Sequence, residues 1–139
     1  MGLMERWQRG EVVPLLESEC MVLVGAGSVG RFAYTDDEGP VVIPVNYAVA
    51  DGTILVATSP LTELARYAIS ALTAFEVDEI DVHEHSGWSV LLRGRTEVVD
   101  YDELPSAYTS RPAPWADGVR TLYLRLVPTS ITGRRLMPA

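Results

Sequence analysis

Short β-branched or alternating apolar runs recur along this chain, and turn residues separate them at short intervals. Residues 29–35, 41–49, 53–58, 71–77, 87–100 and 119–127 read as strands on this pattern. Within 39–59, two β-branched runs meet at Asp51-Gly52, a dipeptide suited to a tight hairpin because its glycine accepts φ > 0. Pro44 lies inside the first run, and a proline there is tolerated only on a sheet edge or where something other than a strand covers it. A ligand is one such cover. Residues 60–70 change to helical spacing, with Pro60 at the start and Leu61, Leu64, Ala65 and Ala68 on one face.

Other stretches read less regularly. Residues 15–27 are ambiguous: Val22-Leu23-Val24 suits a strand, whereas Ser18 before Glu19 and Gly27 at the end suit a short capped helix. Residues 101–109 read as a short helix, 111–118 as a rigid loop, and 78–85 as an acidic loop. About six strands, one or two short helices and no βαβ rhythm predict a mainly β fold, a six-stranded antiparallel barrel with short flanking helices. Gly94, inside the long fifth strand, offers the bend that a barrel strand needs. Residues 1–14 form an N-terminal arm on this reading, 15–136 the barrel domain and 137–139 a tail. No internal repeat is visible.

Gly25-Ala26-Gly27-Ser28-Val29-Gly30 matches the Gly-x-Gly-x-x-Gly dinucleotide fingerprint. That fingerprint needs a helix to begin at the glycines, so that its N–H groups meet a pyrophosphate. Here Arg31-Phe32-Ala33-Tyr34-Thr35 alternates as a strand and ends at once in a turn. The glycines are read instead as a helix stop before a strand.

Composition narrows the partners. The 139 residues suit one domain, and 47% hydrophobic with 22% charged residues is globular. Net charge is −8, from 19 acids against 11 bases; nucleic acid and anionic membrane surfaces reward the opposite balance. Every basic residue is arginine, so no lysine is available for a Schiff base or a point-charge phosphate contact. Cys20 stands alone, which excludes an intramolecular disulfide and reads as a small buried residue. No signal-peptide h-region and no apolar run of membrane-spanning length occur, so a cytoplasmic location is expected.

Candidate chemistry is sparse. His83-Glu84-His85, beside Asp78, Glu79 and Asp81, has no third ligand placed by any motif and reads as a solvated acidic loop, so no metal is expected. Trp88 and Trp115 suit core or interface anchors as well as ligand contacts. No nucleophile–base–orienter pattern occurs.

At Pro44-Val45-Asn46-Tyr47, Ala74-Phe75-Glu76-Val77-Asp78, Ser86-Gly87-Trp88-Ser89-Val90 through Arg93-Gly94, and Ile131-Thr132-Gly133-Arg134, the chain resembles the pyridoxamine 5′-phosphate oxidase-like, flavin-binding split β-barrel family, and particularly its small nitroimidazole-reductase-like bacterial members. The resemblance runs from about residue 18 to 136. It implies a homodimer with two FMN molecules in clefts between subunits, acting as an oxidoreductase on a small molecule. Ile43, Pro44, Val45 and Asn46 would lie along the flavin ring. Thr58, Ser59 and Thr62 would hold the phosphate, and Trp88, Ser89 and Arg134 would approach from the partner subunit. The cofactor would carry the chemistry, so no obligatory catalytic side chain is expected. Deazaflavin and haem, which some relatives bind, are lesser alternatives.

Two positions depart from the family pattern. Ala57 stands where relatives carry an arginine, and Glu63 where they carry lysine or arginine. At about 1.5–3 kcal/mol per charge-assisted contact, the loss of both removes roughly two to four decades of FMN affinity. The alternative reading is therefore a cofactor-poor relative that uses the dimer cleft for binding or for flavin-independent chemistry.

Overall fold

A computed structural model of the chain describes residues 10–104 and 122–138. Its elements, in chain order, are β1 (Glu11–Pro14), α1 (Glu17–Gly25), β2 (Val29–Asp36), β3 (Gly39–Asn46), β4 (Ala48–Ala50), β5 (Thr53–Thr58), α2 (Glu63–Ala68), β6 (Leu72–Asp81), β7 (Ser86–Val99) and β8 (Leu122–Met137), with a 3₁₀ turn at Tyr101–Glu103. All eight strands among the described residues join one antiparallel sheet in the order β3-β2-β6-β7-β8-β5-β4, with β1 also paired to β8. The fold is the expected split barrel. Its strand count exceeds six because β4 is separated from β3 and because the end of the arm, β1, pairs with β8.

The predicted hairpin over 39–59 is only half a hairpin. β4 and β5 are joined by Asp51-Gly52, with φ of 51° and 73°, the paired positive values of a type I′ turn. β3 instead pairs with β2, from Val29↔Asn46 to Asp36↔Gly39. Thus β3 and β4 are the two ends of the sheet path, yet Tyr47 alone separates them in sequence. Two Cα–Cα steps reach about 7.6 Å, so the sheet must roll until its ends meet there. Tyr47 is 4% exposed, its N–H donates to the Ser28 carbonyl and its hydroxyl donates to the Val24 carbonyl. Burial pushes its pKa to about 12, which keeps that donor protonated. Tyr47→Phe removes this bond while the Gly27 N–H still satisfies Val24; a loss of about 1 kcal/mol is expected in urea unfolding.

Several boundaries differ from the periodicity. α1 resolves the ambiguity of 15–27 in favour of helix, but it starts at Glu17, and Glu19 reaches back to accept from the Leu16 N–H (3.0 Å). α2 begins at Glu63 behind Thr62 as its cap, three residues after Pro60. β6 runs on through the start of the expected acidic loop to Asp81, and β8 continues ten residues past 127. Residues 105–121, which hold Trp115, the predicted loop at 111–118 and most of the predicted helix at 101–109, lie outside the described residues, as do residues 1–9 and Ala139.

The core fills the rolled sheet. Phe32 and Phe75 meet edge to face at 6.0 Å and Tyr47 meets Phe75 at 5.0 Å, within a set that includes Ile54, Val56, Val90, Leu92, Leu124 and Leu126. α1 closes one end by burying Cys20 and Val24. The β7–β8 register shifts at Arg93/Gly94, and a Cβ on Gly94 would meet the Val127 carbonyl oxygen. The bulge therefore sits where glycine permits it. Among the described residues no helix is long and apolar enough to cross a membrane.

Candidate functional site

The candidate ring-binding residues occupy the free edge strand. Among the described strands β3 has a single neighbour, β2, so one row of its backbone groups faces away from that ladder. Pro40 and Pro44 share one parity, and since neither has an N–H, the ladder to β2 loses nothing when that parity faces the open side. Pro44 is exposed, while Ile43 and Val45 turn inward against the core. Asn46 is half-buried at the end of the strand. The Pro44 puzzle is resolved by topology alone: it is on an edge.

The turn expected to hold a phosphate is closed on itself. Thr62 donates its one hydroxyl proton to the Ser59 carbonyl (2.9 Å) and caps α2 by accepting from the Ala65 N–H (3.3 Å). Thr58 Oγ1 lies 2.9 Å from Thr62 Oγ1. Because Thr62 has already given its proton away, Thr58 must be the donor of that pair. The Thr62 hydroxyl is thereby saturated, and Thr58, 3% exposed, has spent its proton. Ser59 Oγ accepts from the Leu61 N–H (3.3 Å) and keeps its own proton.

No cation compensates among the described contacts of this turn. The Glu63 carboxylate accepts from the Tyr34 hydroxyl (3.2 Å), tying α2 to β2. Burial, followed by that bond, raises the Tyr34 pKa. Arg66 stacks over the Tyr67 ring at 5.1 Å, and Tyr67 in turn stacks on Tyr34 and donates to Asp37. Ala57 is half-buried opposite Tyr123.

The remaining candidates lie across the sheet. Ser89 and Arg134 are cross-strand partners, and they line an open groove of about 390 Å³ with Glu76, Val90, Leu91, Thr132 and Gly133. Trp88, one residue earlier, takes the opposite parity. It packs partly against the core and lines a separate groove with Glu79 and Arg135. A row of register partners, Pro44–Arg31–Glu76–Leu91–Thr132, spans the outer face from β3 to β8. Its ends are four strand spacings apart, about 19 Å along the sheet. Along this face the β3 edge therefore lies three strands from Ser89 and four from Arg134 on one chain.

In the middle of that row the structure assembles a cluster that periodicity does not single out. Arg31 bridges Glu76 (3.1 Å) and Asp78 (3.3 Å). The signal is present, since residues two apart on a strand share a face. Burial, then the hydrogen bond and charge of Asp78, raise the Glu76 pKa from 4.5 to about 7 against the opposing pull of Arg31. A carboxyl raised in the folded state binds protons more tightly than in the unfolded chain. Its contribution is thus fully present below about pH 4.5 and is lost as pH rises through about 7. Undiscounted, this shift amounts to about 3 kcal/mol; with a third of the side chain in solvent, about 1–2 kcal/mol remains. Urea midpoints should fall between about pH 5 and 8, and Glu76→Gln should flatten that fall.

The flavin implied by the resemblance thus meets a divided site. The open edge of β3 fits a flat ring with polar margins. The turn at 58–63 does not fit a terminal phosphate, because its threonine protons are committed and its charged side chain is a carboxylate. Among the described residues, no group of three His, Cys, Asp or Glu side chains is placed to hold a metal ion.

Comparisons with known proteins bear on this geometry. A family model described as pyridoxamine 5′-phosphate oxidase matches residues 17–135. The chain is 32% identical to a FAD-binding protein of Mycobacterium smegmatis, with a TM-score of 0.71, covering 91% of this chain and 99% of that one. It is 29% identical over 133 residues to the uncharacterized protein Rv0080 of Mycobacterium tuberculosis, covering 91% of this chain and 87% of the relative. A FAD-binding protein from Mesorhizobium loti has the same fold at 22% identity, with a TM-score of 0.69 and coverage of 91% and 97%.

Proposed function

Since this chain belongs to the pyridoxamine 5′-phosphate oxidase family, we propose that it is a flavin-binding oxidoreductase acting on a small molecule and working as a homodimer. The observation that carries the reading is the division of the site. On one chain the β3 edge lies three to four strands from the Ser89–Arg134 pair, and a second copy would bring them to the same cleft. FMN is the flavin the family pattern implies, while the FAD bound by the M. smegmatis relative favours FAD as well; a deazaflavin ranks below both. When bound, the isoalloxazine supplies the redox chemistry. The chain's own part is to offer backbone groups along β3, with the exposed Pro44 beside the ring, and to bring Ser89 and Arg134 from the partner. The reading places the protein in the cytoplasm, with Cys20 a buried free thiol.

A second reading is favoured by Ala57, Glu63 and the committed hydroxyls: a relative that keeps the fold and uses its cleft without a flavin. Desalting after incubation with excess FMN and FAD separates the two. Retained flavin with a perturbed visible band and quenched fluorescence is the expected result. If both flavins pass unretained and titration finds only millimolar binding, the flavin reading is wrong. Sedimentation should give a dimer whose mass halves only on unfolding.

A further inference from the structure

We infer that the cleft takes its flavin without using a terminal phosphomonoester, so that FMN has little advantage over riboflavin, and that the flavin carried is riboflavin-like or a dinucleotide. This rests on the flavin reading above and sharpens it. A phosphomonoester approaches a charge of about −2 at neutral pH, whereas each phosphate of a dinucleotide carries one ester and one anhydride linkage, so no terminal dianion is present. The family's phosphate turn is here the stretch from Thr58 to Glu63, and of its three hydroxyls only that of Ser59 keeps a proton to offer a dianion.

Two donors that could reach it are committed elsewhere. The Thr62 proton goes to Ser59 and the Thr58 proton goes to Thr62, while both acceptor positions of Thr62 are filled. Turning the Thr62 proton toward a ligand would forfeit its bond to the Ser59 carbonyl, so a phosphate bond made there replaces a bond already present. The charge nearest the turn has the wrong sign: Glu63 is held by Tyr34 at the start of α2. The closest basic side chain in sequence, Arg66, is occupied over Tyr67. Where a phosphate-cradling turn presents small residues and free N–H groups, this one presents Pro60 and Leu61, the latter 95% exposed. The Leu61 N–H is itself bonded to Ser59. An apolar tip of this kind suits the uncharged part of a ligand better than a phosphate.

The test is titration of the purified protein with riboflavin, FMN and FAD, followed by flavin fluorescence quenching and by calorimetry. FMN should bind less than about tenfold more tightly than riboflavin, where two charge-assisted phosphate contacts would give about a hundredfold or more. FAD binding as tightly as riboflavin or more tightly supports the inference. A larger FMN advantage overturns it and leaves the flavin reading intact. Failure of all three to bind overturns the flavin reading, and the inference with it. Glu63→Gln keeps an acceptor for Tyr34 while removing the charge. It should improve FMN roughly two- to tenfold relative to riboflavin, and an unchanged ratio would show that Glu63 does not face the phosphate.

Discussion

A variant carrying Ala57→Arg together with Glu63→Lys should bind FMN about a hundred- to ten-thousandfold more tightly than the parent, the equivalent of about 3–6 kcal/mol from two charge-assisted contacts. Riboflavin affinity should stay where it was, because the new charges have only the phosphate to meet. The substitutions have a structural cost. Glu63→Lys forfeits the bond from Tyr34, which should lower stability by about 1 kcal/mol. With Ala57→Arg, the new guanidinium must extend over the outer face from a half-buried position opposite Tyr123. Urea unfolding of the variant checks that it remains folded before its affinity is read. Equal FMN affinity in a folded variant and its parent would mean that the phosphate lies elsewhere.

Gly30→Val should be among the most damaging single substitutions in the barrel, with a loss of about 3 kcal/mol or more. A Cβ at this position would collide with the Phe75 ring and lie 2.9 Å from the Glu76 carbonyl oxygen. The ring cannot yield alone, because it is already in edge contact with Phe32 and Tyr47. Displacing it disturbs Tyr47, the residue that holds the two ends of the sheet together. Gly25→Ala is the control. Nothing lies within 4 Å of its Cβ and its φ is not positive, so a change between zero and a gain of about 1 kcal/mol is expected. Equal losses from the two substitutions, measured by chemical denaturation, would contradict this account.

That contrast also shows what the sequence can tell. The three glycines resemble a nucleotide fingerprint, and the strand that follows them rules it out, as the lack of room for a helix implies. What replaces it is the expected helix stop before a strand, with α1 ending at Gly25 and β2 starting at Val29, but each glycine is there for its own reason. Gly25 ends α1 without crowding, Gly27 makes way for the Tyr47 hydroxyl, and Gly30 makes way for Phe75. The reasons for the last two reside in aromatic residues far along the chain, which local patterning does not see. Strand existence is legible because alternation and turn chemistry are local. Strand partnership is not: the apolar run over 41–49 hides a change of neighbour at Tyr47, and nothing in its composition marks the switch. The candidate site is legible to the same extent. Ala57 and Glu63 can be noted from the chain alone, but the commitment of the Thr58 and Thr62 protons depends on hydroxyl geometry. The grouping of Arg31 with Glu76 and Asp78 depends on a register set by β2 and β6.

β8 governs how this protein is made. It pairs with β7, β5 and β1, and every one of those partners precedes it in the chain. During synthesis β5 has β4 alone beside it and β7 has β6, each with an edge open toward the strand still to come. The pairing of Ile54–Thr58 with Leu122–Leu126 joins segments far apart in sequence. Such non-local closure is intrinsically slow, and unpaired edges in a nascent chain invite association with other chains. Ribosome-bound fragments that stop short of residue 122 should therefore be the aggregation-prone species in a cell making this protein, and chaperone demand should fall once that strand has emerged.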